Sequence, residues 1–209
     1  MTHTATPSPR ALLAALILLT LLLAWSGWRP YDRATWLMEV APIFVVVPLL
    51  LATRQRFPLS TLLYVGIFVH AVVLMVGGAY TYARVPLGFD MQQWLGLQRN
   101  PYDKIGHFMQ GFVPALAVRE ILLRGGHVRA GRMLAFLSLS VVLAISACYE
   151  LIEWGAAVAL GQGADEFLGT QGDPWDTQSD MLFALIGGSC ALLTLARWQD
   201  RQIARLMRP

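Results

Sequence analysis

The chain has 209 residues, of which 56% are hydrophobic and 14% charged, against roughly 25% charged residues in a typical soluble domain. Its apolar residues run in long uninterrupted blocks, which excludes a soluble globular fold and requires an integral membrane protein. The net charge of +3 and pI near 9.1 do not mark a nucleic-acid partner, because the basic residues sit in short clusters between apolar runs, the pattern that orients membrane proteins.

The first apolar run, residues 11–25, follows a short polar stretch ending at Arg10. After it, Trp25-Ser26-Gly27-Trp28 puts bulky aromatics where a cleavage site needs small residues, so the run is expected to be a retained signal anchor. Further runs at residues 36–52, 59–82, 103–123, 133–160 and 176–196 each reach the roughly 17 residues that a helix needs to cross hydrocarbon. Pro30, Pro58, Pro86, Pro101 and Pro174 fall between runs or at their starts, where a missing N–H costs nothing. The expectation is an all-α, polytopic membrane protein in which one transmembrane domain is a bundle of six helices. Residues 88–100 are too polar to span, and Trp94, Leu95 and Leu97 predict a short interfacial helix or lid there. Residues 197–209 form a basic tail whose Arg197, Arg201, Arg205 and Arg208 recur along one helical stripe and suit anionic headgroups.

Six spans put both termini on one side, with 11 of the basic residues on that side and 5 on the other. The excess predicts cytoplasmic termini and an external loop at 161–175, which has Asp165, Glu166 and Asp173 and no Lys or Arg. Cys148 and Cys190 lie in apolar runs without metal or disulfide spacing and are read as inert packing.

The informative residues are the polar ones inside apolar runs. The fourth run opens Asn100-Pro101-Tyr102-Asp103-Lys104-Ile105-Gly106-His107 and continues to Gln110, and the sixth opens Asp173-Pro174-Trp175-Asp176-Thr177-Gln178-Ser179-Asp180. Helix capping accounts for the first half of each: Asn100 and Asp173 as N-caps, the prolines at the first turn, and Asp103 and Asp176 near the positive helix end. Capping leaves His107 and Asp180 unexplained, each one turn deeper on the same face as the Asp before it. Glu150 and Glu153 are the least bland pair, since a carboxylate within hydrocarbon costs at least roughly 2.5 kcal/mol and needs a partner or a wet cavity. At i and i+3 the two repel unless a proton or cation lies between them. The chain has fifteen arginines and a single lysine, Lys104, whose compact ammonium differs from the planar guanidinium used elsewhere.

Asp103-Lys-Ile-Gly-His107-Phe, Tyr149-Glu150-Leu-Ile-Glu153-Trp154 and Gly172-Asp173-Pro174-Trp175-Asp176-Thr177-Gln178-Ser179-Asp180-Met together resemble the YjdF-like family of bacterial inner-membrane proteins, and the likeness extends over nearly the whole chain after the first run. The Asp-Lys-x-x-His element also resembles the wider VanZ-like group. The Arg and Asn of that group's last motif are missing, so a role in glycopeptide resistance is not carried over. The family resemblance implies a multi-pass inner-membrane protein and names no reaction.

The residues themselves support a polar site in the outer half of the bundle. Asp103, His107, Asp176 and Asp180 offer a ligand set for Zn²⁺, Mn²⁺ or Mg²⁺. Glu150, Glu153, His107 and Asp180 are the candidate catalytic groups, and Lys104, Gln110 and Trp175 are candidate substrate contacts. Such a site suits hydrolysis or transfer on a lipid or lipid-linked substrate in the bilayer. A proton- or cation-coupled carrier built on Glu150 and Glu153 is the rival, and a structural membrane subunit is a third reading. Depth separates the first two: a carrier needs polar groups through to the cytoplasmic side, and below Glu150 the fifth and sixth runs offer only Ser146, Ser140, Ser138, Ser189 and Thr194. Gly106, Gly111, Gly155, Gly187 and Gly188 are expected to let helices approach closely.

Overall fold

The computed structural model describes residues 6–160 and 171–207. Among these it is entirely helical: α1 (Pro9–Trp28), α2 (Arg33–Thr53), α3 (Thr61–Ala79), α4 (Pro86–Leu95), α5 (Tyr102–Arg124), α6 (Arg132–Leu160) and α7 (Asp176–Leu206). α1, α2, α3, α6 and α7 are long and apolar enough to cross a membrane. α5 has the length, at 23 residues, but carries charge at both ends and packs along α7, α6 and α3 at the centre of the bundle. The polytopic all-α expectation holds; of the six expected spans, the fourth, α5, is not among the five helices of the described residues that are apolar enough to cross a membrane.

Local chemistry sets the helix starts. Ser8 caps α1 ahead of Pro9, Asp32 caps α2 through the Thr35 N–H at 2.7 Å, and Ser60 caps α3. That bond from Thr35 holds the Asp32 carboxyl below its ordinary range. Asn100 and Asp173, the expected caps, lie one and two positions outside the observed cap positions. Asn100 Oδ1 accepts from the Tyr102 N–H at 3.0 Å and Asp173 Oδ1 from the Trp175 N–H at 2.9 Å, so Pro101 precedes α5 and Trp175 occupies the cap position of α7. The third run ends at Ala79 rather than at residue 82, because Thr81 and Tyr82 adopt left-handed φ values of 53° and 47°.

The expected interfacial segment is α4, stopped by Gly96 at φ 64°. Arg119 and Arg124, counted above with the following loop, are helical residues of α5. The expected tail is a continuation of α7, whose Gln199, Gln202 and Ile203 are buried against the bundle while Arg197 and Arg201 stay exposed. Asp165, Glu166 and Arg208 lie outside the described residues.

α5 and α7 run parallel, with Asp103 and Lys104 level with Asp180 and Arg119 level with Gln199. Their backbones touch where glycine allows it: a Cβ on Gly111 would collide with the Ala184 carbonyl, and one on Gly187 with the Phe108 carbonyl. This is the small-residue packing of membrane helices. Gly106 accommodates the Tyr82 ring and Gly188 approaches Leu139 and Val142, whereas Gly155 has nothing within 4 Å and serves no close approach.

Candidate functional site

The N-terminal turns of α5 and α7 and the second half of α6 bring the motif residues to one end of the bundle. Lys104 lies at their centre, its Nζ 2.5 Å from Asp180, 2.9 Å from Asp176 and 3.4 Å from Asp103. Arg99, just before α5, donates to Asp176 at 2.7 Å and to Asp173 at 2.6 Å. Arg84 is engaged elsewhere, stacked 4.1 Å above the Tyr31 ring.

His107 is buried one turn beneath Asp103, as the i, i+4 relation requires. Its Nε2 is 3.4 Å from Asp103 and 3.7 Å from Asp180, and its Nδ1 is 3.2 Å from Gln110 Oε1 and 3.8 Å from Glu150 Oε1. One ligand atom each from Asp103, His107 and Asp180 lie within 4.8 Å of one another. Asp176 approaches this group through Lys104. Glu150 Oε1 is buried without a hydrogen-bond partner, a rare state for a polar atom in a native interior, which calls for a water, ion or ligand.

Glu153 does not complete a tight pair with Glu150 alone. It also faces Glu39 of α2, a carboxylate that the sequence reading passed over. Glu39 accepts from the Tyr149 hydroxyl at 3.1 Å and from the Tyr82 hydroxyl. Tyr82 is held in its left-handed conformation with its ring against the bare backbones of Gly77 and Gly106, and a strained residue of this kind persists only where the surroundings over-determine it. His70 of α3 is a second omission, with a buried Nε2 that lacks a partner. Trp175 is exposed at the start of α7.

Seven carboxylates, Glu39, Asp103, Glu150, Glu153, Asp173, Asp176 and Asp180, thus gather around Arg99, Lys104 and His107. The acidic surplus sits in a part of the bundle where unpaired charge is expensive.

Residues 11–201 match the family described as a predicted membrane protein (DUF2238). The chain is also 60% identical to the inner membrane protein YjdF of Escherichia coli (strain K12) over 202 residues, 97% of each chain. It belongs to the YjdF family. No solved structure matches. Family membership makes the chain a membrane protein and leaves its reaction to be read from the site.

Proposed function

We propose that this member of the YjdF family is a metal-dependent hydrolase or transferase of the bacterial inner membrane, acting on an ester or phosphoester of a lipid or lipid-linked molecule. Asp103, His107 and Asp180 are the cation ligands, with Asp176 in reserve on the far side of Lys104. The observation that carries the reading is their convergence within 4.8 Å while the unpartnered Glu150 oxygen faces the same imidazole.

Asp103, His107 and Asp180 would hold a divalent cation, which would supply Lewis acidity at the ester or phosphoester. Glu150 would take the proton of the attacking water as the new bond forms to the acyl carbon or phosphorus, and would return it to the leaving oxygen as the bond to that oxygen breaks. Glu153 and Glu39 lie behind Glu150 as further proton acceptors. Lys104 fixes Asp180 and offers an ammonium to a headgroup, Gln110 orients the His107 ring, and the exposed Trp175 suits headgroup depth.

A one-sided site is favoured over a carrier by what lies below it. Leu63, Val113, Leu116 and Val142, all buried, pack across the bundle between this end and the far end of α5, and no ionisable group among them continues the polar path. The basic-residue bias orients the site outward, with both termini in the cytoplasm. A cysteine-free background carrying Gln171→Cys should react with an impermeant maleimide from the outside. Reaction only after the inner face is exposed would invert the topology.

Elemental analysis of detergent-purified protein tests the metal. Wild type is expected to retain a stoichiometric divalent cation and His107→Ala to lose it. A wild type that carries none and gains no heat stability from Zn²⁺, Mn²⁺ or Mg²⁺ would overturn the proposal.

A further inference from the structure

A second feature, separate from the polar site, lies at the same end of the bundle, where α1 meets α2 and α3. The segment Trp25-Ser26-Gly27-Trp28-Arg29 closes the α1–α2 hairpin in a directional way. A Cβ at Gly27 would stand 2.7 Å from the Trp36 ring, so this glycine lets Trp36 seat against α1, where its indole N–H donates to Ser26 Oγ at 3.1 Å. With Ser26 and Gly27 committed to α2, Trp25 and Trp28 turn outward and are 53% and 79% exposed. The Tyr31 N–H donates to the Ala79 carbonyl at 3.0 Å and ties the hairpin to the end of α3.

Between the ends of α1 and α3 this leaves a cavity of about 460 Å³, lined by Trp25, Ser26, Trp28, Arg29, Ala79 and Tyr80 among others. The cations of this end are otherwise occupied: Arg84 on Tyr31, Arg99 and Lys104 on aspartates. Arg29 and Arg33 have no ion pair or hydrogen bond among the described residues, and of the two only Arg29 lines the cavity. A guanidinium with five donors, beside aromatic walls at the ends of two membrane-spanning helices, is complementary to a phosphate at headgroup depth. We infer that the cavity bounded by Trp25, Trp28, Arg29 and Tyr80 binds the phosphate headgroup of an anionic glycerophospholipid. Ala79 and Tyr80 follow Gly78, which packs against Glu39 Cβ, so the bound lipid stands beside the helix that delivers Glu39 to the polar site.

The test is native mass spectrometry of the full chain in detergent, titrated with phosphatidylglycerol, with phosphatidylcholine and with inorganic phosphate. Wild type should retain phosphatidylglycerol in preference to phosphatidylcholine. Arg29→Gln should weaken that retention about fivefold, the worth of one arginine at an anionic membrane surface. Arg29→Lys should recover part of the loss, and Arg33→Gln should leave retention unchanged. Equal retention by wild type and Arg29→Gln, an equal loss in Arg33→Gln, or no preference over phosphatidylcholine would each overturn the inference. Displacement by inorganic phosphate at matched concentration would overturn the lipid as the occupant.

Discussion

At the C-terminal end of α5, Glu120 is fully buried and both of its oxygens are engaged. Oε1 accepts from the Ser60 N–H at 2.8 Å and from Arg124 at 3.0 Å, and Oε2 accepts from the Ser60 hydroxyl at 2.5 Å and from Gln199 at 3.3 Å. Around it, Arg119 bonds Gln199 and Asp200, Arg124 also reaches the Pro58 carbonyl, and Gln202 accepts from the Leu62 N–H. At the N-terminal end, about 20 Å away at 1.5 Å per residue between His107 and Glu120, carboxylates outnumber cations and Glu150 keeps an unpartnered oxygen. Both ends bury charge around α5. One spends its groups on caps and ion pairs that lock α3, α5 and α7 together; the other leaves capacity for a guest. Saturation, more than burial, separates a structural polar cluster from a candidate site.

The largest effect should come from breaking the saturated end. Glu120→Ala takes the acceptor from two donors of Ser60 and one of two acceptors from each of Arg124 and the Gln199 amide, and is expected to cost about 3–5 kcal/mol, read as a collapse of the melting temperature in detergent with metal content per folded chain unaltered. A small effect would mean that these bonds do not hold the bundle. The seam joining the two ends comes next: Gly187→Ala drives a methyl into the Phe108 carbonyl and should cost about 1–3 kcal/mol. At the unsaturated end, Glu150→Gln should keep the protein at least as heat-stable as wild type while weakening divalent-cation affinity at least about tenfold. Glu153→Gln should behave likewise, and unfolding of either variant would make these carboxylates structural. The smallest effect belongs to Gly155→Ala on α6, where a Cβ meets nothing and the gain in helix propensity is about 0.5–1 kcal/mol.

The contrast between the ends also explains what the sequence made legible. Apolar run length located the six long helices, because the bilayer imposes that length on each separately. The i, i+4 spacing placed His107 beneath Asp103, and the carboxylates in α6 stood out against hydrocarbon. Glu39 bore the same signal, a lone acid in Trp36-Leu37-Met38-Glu39-Val40, and was passed over because it lies near the start of its run. Tyr82 was hidden differently: nothing local requires a left-handed tyrosine, and its conformation follows from Gly77 and Gly106 on two other helices. The saturated cluster was invisible for the same reason. Apart from the Arg124–Glu120 pair on α5, its bonds join residues 60 to 140 positions apart, so Arg119, Arg124, Gln199 and Gln202 read locally as loop and tail polarity. Where the chain ran past its apolar stretch, as in α7, the burying partner decided the boundary.

A matched pair of amides tests the division most directly. Glu120→Gln and Glu150→Gln, purified in the same detergent, are to be measured side by side for melting temperature and bound divalent cation. The account predicts that Glu120→Gln melts well below wild type with its cation retained, and that Glu150→Gln melts at or above wild type with its cation affinity weakened at least about tenfold. The reverse pattern, or a common fall in stability with no change in bound metal, would contradict it.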